Sequence, residues 1–229
     1  MAVLLVALAA PATIALARSD ERPGFDRAAC SGRPFPIDGL SAPTGAQRGD
    51  SGAAAALREV LEHPPVEIDG RLPKHRWRLI VRKPALAVFG SGDASRINLL
   101  TVRKRQGAWE FAGYDSHCKP VVVKNGIPGE TWTLDPTAPP PDPATSRLAL
   151  LVRERNCNSG DPPEAERILP PRIDYTRHSI TITYRIEPPE GFQTCPGAPP
   201  AAVTLPLSEA VGDRVLRDGG FVVPRERHP

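Results

Sequence analysis

The sequence predicts a mainly β protein, in which a first lobe combines one helix with an antiparallel meander and a second lobe forms a small β-sandwich. Three observations predict this class. Short apolar runs, several with period-two alternation, recur along the chain between turn residues. Only one segment has the composition of a helix, and a proline-rich stretch separates two groups of strands.

The chain opens on an apolar, uncharged run, residues 1–17, that ends in the small-residue triplet Ala15-Leu16-Ala17. An apolar core of about ten residues closed by such a triplet is typical of a secretory signal peptide. We therefore expect cleavage near Ala17 and a secreted mature protein. Because the initiator amine is the only basic group at this end, an uncleaved leader that anchors the chain in a membrane remains the alternative.

The first lobe is expected to span residues 18–134. Residues 18–48 show no hydrophobic period, so they are predicted to form an irregular arm that its cysteine pins down. The alanine-rich residues 52–62 follow Ser51, a good capping residue, and precede a pair of prolines. This pattern predicts a helix that packs on a sheet.

The sheet of the first lobe is predicted from alternation and turn residues. Trp77, Leu79 and Val81 alternate with arginines, which indicates a strand with one wet face. The pair Gln106-Gly107 lies between two apolar runs and predicts a tight hairpin turn, and Asn125-Gly126 predicts a second turn. The predicted strands are residues 76–82, 86–89, 97–104, 108–114 and 121–123.

A connector and the second lobe are predicted after residue 134. Five prolines within residues 135–146 exclude a helix or a central strand there, so this segment is expected to be a semi-rigid linker. Residues 147–229 then contain short strands between proline-rich loops, which indicates a small β-sandwich. Its predicted strands are residues 148–152, 172–176, 179–186 and 202–207.

The chain has four cysteines, an even number that argues for two disulfides in an exported protein. Four cysteines allow three pairings, and spacing alone does not select one. We expect pairing within each lobe, since each lobe can then fold alone. No closely spaced pair of the Cys-x-x-Cys type occurs, so we expect no metal site and no cofactor. The expected bonds join Cys30 to Cys118 and Cys157 to Cys195.

The net charge of +3 does not by itself predict a nucleic-acid or membrane partner. The apolar segments after Ala17 are also too short to cross a bilayer. Basic residues are nevertheless concentrated between Arg71 and Arg105, where Asp93 is the only acid. This stretch either faces an anionic ligand, such as a polymer of the cell envelope, or is an ordinary solvated surface. The candidate patch consists of Arg76, Arg78, Arg82, Arg103, Lys104 and Arg105.

Motifs that resemble catalytic sites have simpler interpretations. Ser51 lies in a Gly-Asp-Ser-Gly segment, but no histidine precedes it and a helix follows, so we interpret Ser51 as a helix cap. Asp115, Ser116 and His117 are adjacent, and neighbours on an extended segment point to opposite faces. They are more typical of a turn and a surface histidine. The chain's three tryptophans are expected to anchor the core rather than to line a polymer-binding surface.

The second lobe resembles a module that recurs in exported proteins and lipoproteins of high-GC Gram-positive bacteria. The resemblance rests on Cys157-Asn158-Ser159-Gly160, on Thr194-Cys195-Pro196-Gly197 and on Asp218-Gly219-Gly220, with the strand 179–186 between the cysteines. The tryptophan-rich meander that ends in Cys118-Lys119-Pro120 resembles the segment that precedes this module. No activity is assigned to the module. The resemblance therefore implies export, a β-rich fold and paired cysteines, but no catalytic residues.

The function predicted from these features is a secreted, disulfide-stabilised and non-catalytic envelope or extracellular protein that binds an unknown partner. The partner would be an envelope polymer or another secreted protein, and no nucleic acid is expected. Two alternatives stay open. One is a hydrolase of an envelope polymer that uses Asp115 and His117, and the other is a secreted protease inhibitor that presents the loop from Gly191 to Pro200.

Overall fold

The computed structural model describes residues 25–68 and 70–228, so the predicted signal peptide lies outside the described residues. The fold is mainly β, with one α-helix and two sheets. Sheet B contains β3 (Arg78–Lys83), β4 (Leu86–Gly92), β5 (Ile97–Arg105) and β6 (Ala108–Cys118). Sheet A contains β1 (Arg27–Cys30), β2 (Arg33–Pro36), β7 (Val121–Lys124), β8 (Ile127–Leu134), β9 (Arg147–Arg153), β10 (Arg172–Tyr175), β11 (Ser179–Arg185), β12 (Ala201–Pro206), β13 (Val215–Asp218) and β14 (Arg225–Arg227).

The helix α1 spans Gly52–Glu62, as its composition predicts. Ser51 caps it, because its hydroxyl oxygen accepts a hydrogen bond of 3.2 Å from the amide of Ala54. Leu57 and Val60 of the helix are buried against Trp77 and against the face of sheet B that carries Phe89 and Leu100, which we call its first face. In the described part of the chain, no helix is long and apolar enough to cross a membrane.

Sheet B is an antiparallel meander in which each strand pairs with the next one along the chain. The predicted hairpin turn is confirmed, since Gln106 and Gly107 have φ angles of 48° and 89°. β4 is longer than the strand predicted at residues 86–89. β4 continues to Gly92, and the turn is closed at Asp93 and Arg96, whose backbones bond to each other.

The second face of sheet B is covered in part and open only at the groove described below, so the strand interpretation at residues 76–82 needs correction. Arg76 lies before β3 with a φ of 65°, and the register of β3 shifts between Leu79 and Val81. This shift turns Ile80 inward, where it packs with Phe35 and Leu99. Alternation alone could not predict this, because the elements that cover this face come from the predicted irregular arm.

Residues 27–36 of that arm form a β-hairpin rather than irregular structure. β1 and β2 are joined by Ser31 and Gly32, which have φ angles of 47° and 71°. β1 continues into sheet A by pairing with β7. β2 carries Pro34 and Pro36, and within the described residues it pairs with β1 alone.

Sheet A takes strands from both sides of the predicted connector. β8 is its central strand: its first residues pair with β7, Gly129 and Glu130 pair with β11, and its last four residues pair with β9. The predicted connector, residues 135–146, is thus the loop between two hydrogen-bonded strands, β8 and β9. Because β8 changes pairing partner along its length, sheet A is curled rather than flat.

The curled part of sheet A encloses the second core. Trp132 of β8, Leu150 of β9 and Ile182 of β11 are fully buried within it. The indole Nε1 of Trp132 donates a hydrogen bond of 2.9 Å to the carbonyl oxygen of Ile182. β12 closes this core along β9, while β13 runs parallel to β11. The predicted β-sandwich is confirmed in this part of the chain.

Both disulfides have the expected pairing. Cys30 is bonded to Cys118 with the two Cα atoms 5.9 Å apart, and Cys157 is bonded to Cys195 with the Cα atoms 4.5 Å apart. The first bond joins β1 of sheet A to the end of β6 in sheet B. It therefore connects the two sheets, whereas the second bond ties two loops that leave strands of sheet A.

Candidate functional site

A groove of about 600 Å³ lies between β2 and β3, the edge strands at which the two sheets approach each other. We call it the basic groove. Phe35, Ile80 and Leu99 form an apolar floor that is buried from solvent. Its volume is typical of a ligand pocket in a protein. Its charged lining residues are Arg27, Arg33, Arg82, Lys83, Arg103 and Asp115.

The two walls hold their cations in different ways. On the hairpin wall, Arg27 Nη2 donates a hydrogen bond of 3.3 Å to the carbonyl oxygen of Pro34, which folds this side chain along β2. Arg33 reaches toward β6, because its Nη1 lies 3.7 Å from the position that a Cβ would take on Gly113. On the sheet B wall, Lys83 and Arg103 share one face of the sheet, since both are aligned with Leu86 across the strands.

The charge of the basic groove is strongly unbalanced. Five of its six charged lining residues are basic, and none of the five forms an ion pair within 4.0 Å among the residues that the structure describes. Asp115 accepts a hydrogen bond of 3.0 Å from the hydroxyl of Ser31. Glu110 lies opposite Arg103 across the strands but does not line the groove. Five cations without acidic partners among the described residues make the electrostatic potential of the groove positive.

The structure brings together only part of the predicted basic patch. Arg82 and Arg103 line the groove. Arg78 instead serves the fold: its guanidinium donates to the carbonyl oxygens of Leu40 and Gly92, the latter at 2.8 Å. The other three residues of the patch, Arg76, Lys104 and Arg105, are exposed and do not line the groove.

Two groove cations, Arg27 and Arg33, were absent from the predicted patch because they lie far from it in sequence. A signal for them was nevertheless present. They flank Cys30, and the predicted bond from Cys30 to Cys118 brings this segment next to the hairpin that carries Arg103. A disulfide prediction thus contains information on which surface residues converge.

The three adjacent residues Asp115, Ser116 and His117 all lie at the end of β6. They line one hollow, but none of the hydrogen bonds found in the described residues joins the imidazole of His117 to Asp115 or Ser116. Asp115 bonds to Ser31, and His117 is exposed. The geometry therefore presents no nucleophile held by a general base.

The remaining candidates divide between core and surface. Trp77 and Trp132 are fully buried, and Trp109 is half-buried against α1, so all three tryptophans serve packing rather than an exposed platform. All five histidines of the chain are exposed. In the loop from Gly191 to Pro200, Phe192 is 92% exposed beside the disulfide of Cys195.

Comparisons with known proteins give no further guidance on this site. No family model matches the chain, and neither a curated protein nor a solved structure matches it. Within residues 25–68 and 70–228 there is also no group of three or more histidine, cysteine or acidic side chains placed to hold a metal ion. The function must therefore be argued from the geometry and charge of the groove.

Proposed function

We propose that this protein is an exported, non-catalytic binding protein whose basic groove holds an anionic polymer outside the cytoplasm. The single observation that carries the proposal is the set of five unpaired cations around an apolar-floored groove with one acidic residue. Attraction between these cations and a chain of phosphate or carboxylate groups would supply affinity, and the floor would contact the backbone of the polymer.

The two disulfides support the extracellular part of the proposal, because such bonds persist in oxidising compartments. The predicted signal peptide and the resemblance to exported modules point the same way. We expect the mature protein to begin near Arg18 and to contain no free thiol. Thiol labelling of protein recovered from its native compartment tests this, and a cytosolic pool with an intact leader would contradict it.

The binding proposal is tested with polyanions of defined chemistry. We expect the folded full chain to bind polyphosphate and polyglutamate but not neutral dextran, and the affinity to fall steeply as salt is raised from 50 to about 200 mM. Isothermal titration calorimetry measures both effects. Affinity that does not respond to salt, or equal affinity for dextran, would contradict electrostatic binding.

A matched pair of variants locates the binding. Lys83→Glu with Arg103→Glu reverses two groove cations, whereas Lys74→Glu with Lys104→Glu makes the same change of charge at exposed residues outside the groove. We expect the groove variant to lose at least tenfold in affinity and the control variant less than threefold. Equal losses would show that net charge, and not the groove, attracts the polymer.

One observation favours a second candidate function, the inhibition of a secreted protease. Phe192 is almost fully exposed, and its loop is braced by the Cys157–Cys195 bond and by the hydrogen bond of 3.0 Å from the amide of Ser159 to the carbonyl oxygen of Thr194. Such a side chain fits the pocket of a protease that selects aromatic residues. Inhibition of chymotrypsin that is lost in Phe192→Ala would support this candidate, and its absence would exclude it for that class.

A further inference from the structure

A second hollow, of about 730 Å³, lies where the two sheets and the C-terminal segment meet. We call it the junction hollow. The turn between β1 and β2 and the end of β6 form one side, and the loop after β9 and the segment before β14 form the other. Two of its basic residues, Arg155 and Arg225, come from positions far apart in sequence. Its charged and aromatic lining residues are Asp115, His117, Lys119, Arg155, Phe221 and Arg225.

Arg155 and Arg225 both lie over the ring of Phe221. The guanidinium carbon of Arg225 is 3.9 Å from the centre of the ring, and that of Arg155 is 4.7 Å from it. Phe221 is buried, and its backbone forms a bridge with Val121 of β7, so the ring is a fixed support. Cation–π contact thus holds both guanidinium groups against one aromatic ring.

Neither guanidinium has an acidic partner. Arg155 and Arg225 form no ion pair within 4.0 Å in the described part of the chain. Burial lowers the pKa of both side chains, and the attraction of Asp218, joined at Arg155 by that of Glu130, does not offset it. A bound anion would add favourable interactions with both charged forms.

Two buried carboxyl groups near the arginine pair, those of Asp218 and Glu130, form no ion pair with Arg155 or Arg225. Asp218 is bonded to Arg227 and accepts a hydrogen bond of 2.9 Å from the amide of Gly220. Glu130 accepts a hydrogen bond of 2.8 Å from the backbone amide of Arg155. Burial raises the pKa of Glu130 to about 8, so this carboxyl is mostly neutral at pH 7. Asp115 also lines the hollow, but it accepts a hydrogen bond from the hydroxyl of Ser31 and forms no ion pair within 4.0 Å with either arginine.

We propose that Arg155 and Arg225, supported by Phe221, form a binding site for an oxyanion, a phosphate or a carboxylate group. A guanidinium presents parallel N–H donors that match the spacing of two oxygens on such a group, and two of them beside one ring can hold it from two directions. Lys119 and Asn156 line the same hollow and can reach a larger ligand. The arginine pair does not line the basic groove, although the two hollows share Gly32 and Asp115, and this proposal does not rest on the polymer proposal.

Inorganic phosphate and acetate are the probes for this site, used on the folded full chain at low ionic strength. Calorimetry, with the Nε–H signals of arginine followed by NMR, reports binding at the two guanidinium groups. We expect phosphate to bind in the millimolar range or tighter, and acetate more weakly if the ligand is a phosphate ester. A native chain that binds neither probe would overturn the proposal.

Variants assign the binding to the arginine pair. Arg155→Gln with Arg225→Gln should weaken phosphate binding at least tenfold, whereas Arg177→Gln with Arg185→Gln, the same loss of charge elsewhere on sheet A and its loops, should change it less than twofold. If the first variant does not fold, Arg155→Lys with Arg225→Lys keeps the charges and should still lose at least threefold, because ammonium groups lack the paired donors. Binding equal to the native protein in the lysine variant would overturn the assignment.

The basic groove has its own discriminating result. Lys83→Glu with Arg103→Glu should leave phosphate binding at the junction hollow within about twofold of the native value, since neither residue lines that hollow. Loss of phosphate binding in this groove variant would place the oxyanion site in the groove and remove the second site.

Discussion

Sheet B and sheet A differ in how far along the chain their strands lie from one another. In sheet B every strand pairs with its sequence neighbour, between Arg78 and Cys118. Sheet A adds distant pairs to its neighbour pairs: Ala28 of β1 aligns with Val122 of β7, and Tyr184 of β11 aligns with Glu130 of β8. Local pairing can be inferred from turn residues and alternation, whereas pairing between distant strands depends on which faces and edges meet in three dimensions.

The two sheets also differ in what they bury. The clusters on both faces of sheet B consist of apolar side chains. Sheet A buries three carboxyl groups in addition to its apolar core, those of Glu130, Glu154 and Asp218. Glu154 is bonded to Arg167 and to Asn158, and Asp218 is bonded to Arg227, but one oxygen of Glu130 has no partner in the described residues. The stability of sheet A should therefore fall between pH 4.5 and 8, whereas the shifted groups of sheet B, Asp93 with a lowered pKa and Tyr114 with a raised pKa, titrate outside that range.

The largest expected effect comes from the disulfides. Removing the bond between Cys30 and Cys118, by changing both to Ala, should lower the free energy of unfolding by about 4–5 kcal/mol, since it closes the longer loop. It should also uncouple the sheets, because it alone of the two bonds joins sheet B to sheet A. Replacing Cys157 and Cys195 should cost about 4 kcal/mol within sheet A.

Urea denaturation followed by amide hydrogen exchange measures this difference. In the first variant, we expect exchange in β4 and β5 to separate from exchange in β9 and β11, while the second variant should keep sheet B protected. A single shared transition in the first variant would show that packing alone couples the two sheets.

The second effect is the pH dependence of sheet A. Glu130 has a pKa of about 8 in the folded chain, against 4.5 as its ordinary value. Between these pH values the folded chain holds a proton that the unfolded chain has released, so stability falls as the pH rises from 4.5 to 8. Glu130→Gln should remove on the order of 3 kcal/mol of this fall.

Chemical denaturation at pH 5 and pH 8 checks the effect of Glu130→Gln. Glu110→Gln, an exposed carboxyl on sheet B, is the control and should leave the pH dependence unchanged. Parallel pH profiles for the native chain and the Glu130 variant would contradict burial as the cause.

The third effect compares two glycines. A Cβ on Gly220 would lie 2.2 Å from the carbonyl oxygen of Glu130, where the C-terminal segment crosses β8, and neither backbone can yield easily. We expect Gly220→Ala to cost about 2–3 kcal/mol. Gly107 has open space around it but a φ of 89°, so Gly107→Ala should cost about 1 kcal/mol through backbone strain alone. Thermal unfolding distinguishes them, and equal costs would mean that the crossing at Gly220 is loosely packed.

The smallest effect concerns the helix on sheet B. Ser51→Ala removes the side-chain acceptor for the amide of Ala54 and should cost about 1 kcal/mol. Ser208→Ala, at an exposed loop residue, should change stability by less than about 0.5 kcal/mol. Urea midpoints of the two variants give the comparison, and an unaffected Ser51 variant would show that packing of Leu57 and Val60 suffices for α1.

Much of sheet B could be predicted because its information is local. The cap at Ser51, the turn at Gln106 and Gly107 and the alternation in β5 are each determined by neighbouring residues. In sheet A the predicted strands correspond to β7 and to β9 through β12, whereas β1, β2, β8, β13 and β14 were not predicted, and neither was the pairing. Nothing near Glu130 in sequence indicates that β8 meets three partners, and the hairpin from Arg27 to Pro36 has too few apolar residues to show its period.

The candidate sites follow the same division. Arg82 and Arg103 could be predicted because they lie within one basic stretch. Arg27 and Arg33 lie on the hairpin of β1 and β2, which pairs with β7 and is bonded to β6 through Cys30 and Cys118, and Arg155 and Arg225 both contact the ring of Phe221. Sites assembled from separate segments cannot be inferred from local composition.

Two prolines explain why the sheets do not fuse. In a hairpin with a two-residue turn, residues facing the partner strand alternate with residues whose amides point away from it. Cys30 and Arg33 flank the turn, so the outward amides of β2 would belong to Pro34 and Pro36, and proline has none. The edge of β2 that faces β3 thus has no amide donor at these two positions. Hydrogen bonding that would join the two sheets into one sheet of fourteen strands is therefore disfavoured. The space between β2 and β3 therefore remains a groove that a ligand can enter.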